Sequence, residues 1–265
     1  MSHTIVALTQ AVRGRVITPS DADYDDARAV HNGMHDRRPR AIVQCRDAAD
    51  VMLAVAAARD GGLDLAVRGG GHSVPGFGTV NDGLVIDLSR MRYVRVDPAK
   101  KVARVGGGAT LGDVDHATYP FGLAAPGGVV STTGVAGLTL GGGIGYLTRG
   151  VGLSIDNLLS ADVVLADGRQ VTASDYQNED LFWALRGGGG NFGVVTSFEF
   201  QLHVVGDIVG GDAPTSRASP RKSSAPRPEP ARHGGGPGCL LCAPSARGAL
   251  NQKAWGLTLG WRSRR

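Results

Sequence analysis

The stretch from Leu63 to Ser73, LDLAVRGGGHS, constrains the fold of this chain more than any other. Its first six residues are short and mostly apolar, which is the pattern of a buried strand. Three consecutive glycines follow. Their entropic cost is understandable where the backbone passes close to another group or turns its N–H groups toward an anion. The sequence therefore predicts a strand that ends in a ligand-binding loop, with His72 placed to touch whatever is bound there.

Composition limits the class of protein. Glycine accounts for 41 of the 265 residues and lies in clusters between apolar segments, not at every third position. This excludes collagen and indicates strands joined by tight loops. The sequence has no apolar run of about 18 residues and no recognisable signal peptide. Its three cysteines, Cys45, Cys239 and Cys242, do not make a disulfide framework, which fits a reducing compartment. We therefore predict a cytoplasmic protein, and the missing apolar run predicts no membrane segment.

The basic charge of the chain is confined to its last part. Residues 206–265 hold ten Lys/Arg against three Asp/Glu, whereas residues 1–205 hold eighteen against twenty-one. The last part is also rich in Pro, Ser and Arg and poor in large apolar residues, which is typical of disorder. We predict a largely disordered tail over 206–265. The charge of residues 1–205 does not favour nucleic-acid binding.

Alternating and helical patterns predict mixed α and β structure before that tail. A short helix capped by Ser20 or Asp21 is expected to end near Gly33, and another helix is expected to begin at Asp47. Residues 126–145 are too rich in glycine to predict a regular helix. Phe182 and Trp183 are both expected in the core. Further predictions are strands at 41–45, 63–68, 84–88 and 191–203 and hairpins at 93–105 and 162–174. A turn followed by a helix that stops at Pro120 is expected at 106–120, and a short helix at 178–186.

Common site motifs are missing from the sequence. No glycine turn is followed by Lys-Ser/Thr, and GxGxxG does not occur at a strand–helix junction. Cys239 and Cys242 form a single CxxC pair, short of the four ligands that a structural zinc needs, so no metal site is predicted. His72 has two interpretations: a loop histidine bonded to a backbone carbonyl, or a covalent tether to a bound cofactor. The local sequence alone favours the first.

Six motifs in order give the chain a family resemblance from about Arg15 to Val205. They are VRGGGHS at 67–73, GG at 127–128 with TGVAGLTLGGGIG at 133–145, GL at 152–153 with DNLL at 156–159, ADG at 166–168, DLFWALRGG at 180–188, and GNFGVV at 190–195. On these motifs the chain resembles the FAD-linked oxidases of the vanillyl-alcohol oxidase superfamily, which have a PCMH-type FAD-binding domain. Its bacterial branch similar to berberine bridge enzyme is the nearest in pattern.

The resemblance implies an α+β fold: a PCMH-type FAD-binding domain of two α+β subdomains with FAD between them. Its expected bounds are 35–205, after an N-terminal helical or extended segment at 1–34 and before the tail at 206–265. His72 would carry a single covalent link to FAD, because Val129 and Val130 stand where many relatives have a second, cysteine tether. The implied cofactor-binding residues are Arg68, Gly69, Gly70, Gly71, His72, Ser73, Gly76, Gly127, Gly128, Thr132, Thr133, Gly134, Gly137, Gly142, Gly143, Gly145, Asp156, Asn157, Asn191, Gly193, Val194 and Val195.

The implied function is that of an FAD-dependent oxidase. Hydride would pass from an alcohol, sugar or heterocyclic small-molecule substrate to flavin N5, and O2 would reoxidise the flavin. The family pattern stops near Gly211, where the composition changes as if by truncation or a change of reading frame. The residues that select the substrate and the catalytic base are then missing, and none is named. The alternatives are an FAD-binding fragment that is catalytically incomplete and a basic-tailed protein that binds nucleic acid.

Overall fold

A computed structural model describes residues 3–206 of the chain, which form an α+β fold with two main sheets. The first sheet contains β1 (Arg15–Ile17), β2 (Ala41–Gln44), β3 (Leu65–Arg68) and β4 (Leu84–Asp87). The second contains β5 (Val94–Asp97), β6 (Val102–Gly106), β8 (Leu158–Val164), β9 (Gln170–Ser174) and β10 (Val194–Gln201). A small pair joins β7 (Leu123–Ala124) to β11 (His203–Val204). The helices are α1 (His3–Ala11), α2 (Tyr24–Arg28), α3 (Ala48–Asp60), α4 (Leu111–Thr118), α5 (Val135–Leu140), α6 (Thr148–Val151) and α7 (Glu179–Gly188).

The first sheet has four strands in the order β1-β2-β4-β3, and three of them, β2, β4 and β3, are parallel. Strands β2 and β3 both pair in parallel with β4, and β1 adds antiparallel to β2. Helix α3 connects β2 to β3, which are parallel strands on either side of β4, and a crossover of this kind is what parallel strands require. Its N-cap is Asp47, whose side chain accepts a hydrogen bond from the Asp50 N–H. The carboxyl ends of the three parallel strands therefore meet at one edge of this sheet.

Apolar side chains cover both faces of the first sheet. Ala41, Val43, Leu84 and Ile86 pack in one cluster with buried residues of α1 and α3. The alternate positions pack in another cluster, made of Ile17, Tyr24, Ile42, Ala66 and Val85. Strands buried on both faces appear in the sequence as continuous apolar runs, which is why AIVQC and LVIDL could be recognised.

The second sheet is antiparallel in the order β5-β6-β10-β8-β9. Phe198 and Phe200 of its central strand β10 are fully buried, and α4, α5 and α7 contribute to the same core. The β5–β6 hairpin turns at residues 98–101, where Lys101 has a φ of 53°. Helix α4 begins with a capping box, because Thr110 and Asp113 each accept a hydrogen bond from the backbone N–H of the other.

The structure confirms most predicted elements and corrects three local interpretations. The helix predicted from Ser20 or Asp21 to Gly33 is the shorter helix α2, which runs over Tyr24–Arg28 with Asp23 at its N-cap. A six-residue helix, α5, forms within 126–145 because Val135, Ala136 and Leu140 are buried in the core. Trp183 is 78 % exposed although its neighbour Phe182 is buried. Helix α1 lies in the N-terminal segment that was expected to be helical or extended, but its bounds were not predicted.

The predicted tail at 206–265, its CxxC pair and the possible nucleic-acid contact lie almost entirely outside the described residues. Within residues 3–206, no helix combines the length and the apolar character needed to cross a bilayer.

Candidate functional site

A cavity of about 280 Å³ lies at the carboxyl ends of the parallel strands. Gln44, Arg68 and Asp87, the last residues of β2, β3 and β4, line it together with the glycine loop that follows β3. This edge is the usual place for a ligand in a sheet with parallel strands. The N-terminal segment contributes to the lining with Asp26, Ala27, Ala29, Val30 and His31.

The backbone N–H groups of the glycine loop at 69–73 are available to a ligand. Among the described residues, none accepts a hydrogen bond from the N–H groups of Gly69, Gly70, Gly71, His72 or Ser73. Gly71 has a φ of 72°, a conformation that glycine adopts without strain. Consecutive unpaired N–H groups in such a loop form an anion-binding concavity. The loop that the sequence predicted is present and can receive an anionic group.

Glycine at position 70 is required by a second backbone segment. A Cβ atom there would lie 2.3 Å from the backbone N of Gly134 and 3.1 Å from the carbonyl oxygen of Thr132. Segment 131–135 is held in turn by residues 109–112, since the N–H of Leu111 donates to the Thr133 carbonyl at 2.9 Å and that of Gly112 to the Ser131 carbonyl at 2.9 Å. The structure thus brings together 69–73 and 132–134, two groups of predicted site residues that are distant in sequence.

His72 is held by two neighbouring side chains. Its Nε2 lies 3.0 Å from the hydroxyl oxygen of Thr132, and its ring stacks on that of His31 with centroids 4.0 Å apart and planes 15° apart. Partial burial lowers the pKa of His72, and the nearby His31 lowers it further. A lowered pKa favours the neutral imidazole, in which one ring nitrogen retains a lone pair.

The segment from His31 to Arg37 is attached to the far side of the loop. The N–H of His31 donates to the Gly71 carbonyl at 3.1 Å, and the Asn32 side chain donates to the Val74 carbonyl at 2.9 Å. Arg37 donates to the carbonyls of Gly76 and Thr79. Sequence analysis separated residues 1–34 from the site and therefore missed His31. No sequence motif marks it, because its role depends on a contact across about forty positions.

Arg68 binds the chain just before this segment. Its guanidinium donates to Asp87 at 2.8 Å in an ion pair that is almost fully buried, and to the carbonyl oxygens of Ala27 and Ala29 at 2.7 and 3.3 Å. Asp87 also accepts a hydrogen bond from the Ser89 N–H. Arg68 thus lines the cavity while its charge is engaged by Asp87, a residue that the sequence analysis did not select.

Close packing explains the glycines in the second half of the candidate site. A Cβ atom at Gly145 would lie 1.5 Å from the Gly127 carbonyl oxygen, and one at Gly128 would lie 2.6 Å from a methyl carbon of Leu138. Gly142 and Gly143 both have positive φ, and the buried Ser154 hydroxyl donates to the Gly143 carbonyl at 3.2 Å. Gly137 is exposed on α5 with open space beside it. These contacts position the loops whether or not a ligand is present.

The remaining predicted site residues are also accounted for in the fold. Asp156 accepts from the Leu153 N–H, and Asn157 donates to the carbonyls of Val151 and Leu153. Asn191 donates to the Gly188 carbonyl. Gly193, with a φ of 144°, leads into β10, where Val194 and Val195 have buried side chains. Their side-chain contacts are internal, and a role toward a cofactor stays a prediction for each of them.

The fold and this loop define an FAD-binding protein. The sequence model of the FAD binding domain family matches residues 39–174, which include the parallel strands, the loop at 69–73 and segment 131–135. The chain therefore belongs to this family, and FAD is the cofactor of its domain. The residues present fit that cofactor, because the free N–H groups of the loop suit the two charges of a pyrophosphate.

Similar proteins are FAD-linked oxidases. The chain is 42 % identical over 198 residues to the (R)-6-hydroxynicotine oxidase of Paenarthrobacter nicotinovorans, matching 75 % of this chain and 43 % of that protein. The structure of BBE-like 1 from Physcomitrella patens superposes with a TM-score of 0.73 at 34 % identity, over 76 % of this chain and 44 % of that one. Glucooligosaccharide oxidase from Acremonium strictum, which carries a 6-S-cysteinyl, 8α-N1-histidyl FAD, gives 0.70 at 38 % identity, over 75 % and 42 %. The chain thus spans less than half the length of the relatives it matches.

Proposed function

We propose that this chain is the FAD-binding part of an oxidase that removes hydride from a small-molecule substrate. FAD would supply the two-electron chemistry, accepting hydride at N5 and passing the electrons to O2. The observation that carries the proposal is the row of five free N–H groups at 69–73, the stretch that also holds the His72 imidazole. The loop would bind the pyrophosphate and His72 would bind the flavin.

The domain that binds FAD would comprise residues 35–205, completed by the segment at 1–34. His31, Asn32 and Arg37 support this addition, because each donates a hydrogen bond to the loop at 71–79. The predicted cofactor-binding residues outside the loop, from Gly127 to Val195, would contact the parts of FAD other than the pyrophosphate. Several of these residues are glycines at positions where a Cβ atom would collide with a neighbouring segment, as described above for Gly128, Gly134 and Gly145.

His72 would form one covalent bond to the 8α-carbon of the flavin. The histidyl link in the Acremonium oxidase supports this proposal. That oxidase has a cysteinyl link as well, but Val129 and Val130 precede Thr132 here and both are exposed. A single attachment is therefore proposed.

The substrate would be an alcohol, a sugar or a heterocycle, as the names of the nicotine and oligosaccharide oxidases suggest. A second candidate is a chain that binds FAD without turning over substrate. It is favoured by one observation, that the contacts described at 69–73 and 132–134 account for cofactor binding alone. We further propose a cytoplasmic location, which agrees with Cys45 being a free, buried thiol.

The visible spectrum of the purified chain, taken before and after acid precipitation, tests the FAD site. We expect yellow absorbance that precipitates with the parent protein but passes to the supernatant with His72→Ala. His116→Ala on the exposed face of α4 is the control and should retain the colour. Absence of flavin after incubation of the parent with FAD would refute the proposal.

Peroxide formation then separates the two candidates. The flavin-loaded chain is offered alcohols, sugars and N-heterocycles under air. Peroxide that depends on one of these classes supports the oxidase. Bound flavin that none of them reduces under anaerobic conditions supports the FAD-binding fragment.

A further inference from the structure

We propose that Thr132 and His31 are positioning residues that orient the His72 imidazole for attachment to the flavin. Thr132 would fix the tautomer through Nε2, and His31 would fix the plane of the ring. The inference rests on the proposed covalent role of His72. It comes from two contacts that converge on this ring from opposite parts of the chain, the hydrogen bond of Thr132 and the stack of His31.

The contact with Thr132 occupies Nε2 of His72 and leaves Nδ1 as the nitrogen that is free to react. A neutral imidazole has one N–H and one lone pair, and only the lone pair can form a bond to carbon. The 3.0 Å contact fits either direction of the hydrogen bond. In the tautomer that we propose, Nε2–H donates to the Thr132 hydroxyl oxygen and the lone pair is on Nδ1. Among the described residues, none forms a hydrogen bond with Nδ1. The geometry therefore assigns Nδ1 as the attachment atom.

A threonine hydroxyl can serve the ring before and after attachment. It offers two acceptor lone pairs and one donor hydrogen. Thr132 can accept from Nε2–H in the free protein, and it can donate to the bare Nε2 once Nδ1 is bonded to carbon. Because Thr132 is exposed, the proton released from Nε2 can pass to water. Valine has nearly the same shape as threonine and can do neither.

His31 restricts the rotation of the same ring. Its own position is fixed, because its backbone N–H donates to the Gly71 carbonyl one residue before His72. Stacking at 4.0 Å with a 15° tilt leaves the His72 ring little freedom about its χ2 torsion while Thr132 holds its edge. A ring that is already held in the reactive orientation loses less entropy on reaching the transition state, so its reaction with the methyl group of a bound flavin is faster.

The attachment balances with O2 as the oxidant, which the proposed oxidase already uses. Nδ1 forms a bond to the 8α-carbon, while one C–H bond of the 8α-methyl group and the Nε2–H bond are broken. The two electrons and two protons released reduce one O2 to H2O2. One peroxide is therefore expected for each covalent link.

The first test measures the rate at which the full chain, produced without flavin, incorporates added FAD covalently under air. Thr132→Val should slow the incorporation roughly tenfold through the loss of one hydrogen bond, and Thr132→Ser should restore most of it. His31→Ala should slow it as well, while His31→Phe, which preserves a flat stacking ring, should be closer to the parent. Thr9→Val in α1 and His116→Ala in α4 are matched controls away from the loop.

The second test uses the flavin-free protein and therefore does not depend on the reaction. Nitrogen-15 chemical shifts of His72 report which ring nitrogen carries hydrogen. The parent and Thr132→Ser should show the Nε2–H tautomer, and Thr132→Val should show a mixture of both tautomers.

The outcomes separate this inference from the proposed function. Equal incorporation rates and equal tautomers in the parent and Thr132→Val would overturn the role of Thr132 while the covalent site stands. An equal loss in Thr132→Ser and Thr132→Val would also overturn it, since the hydroxyl would not be the cause. Equal rates in His31→Ala and the parent would overturn the role of His31. FAD bound by the parent but fully released by acid would refute the covalent link and this inference with it.

Discussion

Gly70 and Gly134 exclude each other's side chains. A Cβ atom at either position would lie 2.3 Å from the backbone N of the other residue. Since backbone atoms cannot move aside as a flexible side chain can, this crossing fixes the distance between the loop at 69–73 and segment 131–135. Two groups of predicted site residues are thereby held together because neither glycine carries a side chain.

Gly70→Ala should destabilise the fold and weaken FAD binding. The added methyl group must push two backbone segments apart, and overpacking of this kind costs about 1–3 kcal/mol. Urea unfolding would measure the stability, and absorbance of retained flavin would measure the binding. Gly150→Ala, at a helical position with open space beside it, should be neutral or stabilising by up to about 1 kcal/mol. A Gly70→Ala protein as stable as the parent would contradict the packing described here.

Asp87→Asn should be one of the most destabilising polar substitutions in the chain. It leaves the buried charge of Arg68 without its partner, and breaking a buried pair costs about 3–5 kcal/mol. Arg13→Gln removes the exposed pair with Asp47 and should cost less than about 1 kcal/mol. The two free energies of unfolding, measured in urea, give the comparison. Similar small losses in both variants would show that water reaches the Arg68 pair.

Stability should fall as the pH is lowered from about 7.5 to about 5.5, across the ordinary pKa of histidine. The folded chain lowers the pKa of His72 by burial and by the nearby His31, and that of His203 by burial and by Lys101. The unfolded chain therefore takes up protons first, so the stabilisation is complete above the unfolded pKa and declines below it. His72→Gln with His203→Gln should reduce the dependence of the unfolding free energy on pH. A double variant with the slope of the parent would contradict this assignment.

Phe182→Ala and Trp183→Ala should differ sharply although the residues are adjacent on α7. Phe182 is buried in the core of the second sheet, and truncating such a ring costs about 3–5 kcal/mol. Trp183 is 78 % exposed, and a surface substitution usually changes stability by less than about 0.5 kcal/mol. Thermal and urea unfolding of both variants would check the difference. A large loss with Trp183→Ala would mean that this ring is covered in the folded protein.

Local signals in the sequence predicted the elements whose causes are local. Asp47 caps α3 through the N–H of Asp50, three residues away, and the Asp167-Gly168 turn joins β8 to β9. The strand after which the glycine loop begins was recognisable for the same reason. Helix α5 was not predicted, because burial of its apolar side chains in the tertiary core offsets a glycine-rich sequence that is unfavourable by itself.

The candidate site was predicted in part, and the missing part depends on distant contacts. The glycine loop and His72 form a continuous stretch, so a sequence pattern could reveal them. His31 and Asp87 reach the same place from other segments, and nothing in their own neighbourhoods indicates that they will. Trp183 was misassigned because an amphipathic helix buries residues three or four apart, here Phe182 and Leu185, and exposes the position between them.

The Arg68–Asp87 pair has a consequence for the order in which the chain matures on the ribosome. Arg68 holds the carbonyls of Ala27 and Ala29, but its charge is compensated only after Asp87 has been synthesised. Gly134, against which the loop is packed, emerges later still. A nascent chain that stops short of Gly134 therefore has the complete VRGGGHS motif and no finished loop. The motif by itself is therefore an incomplete loop, whose packing partners are all present only once the chain extends past Gly134.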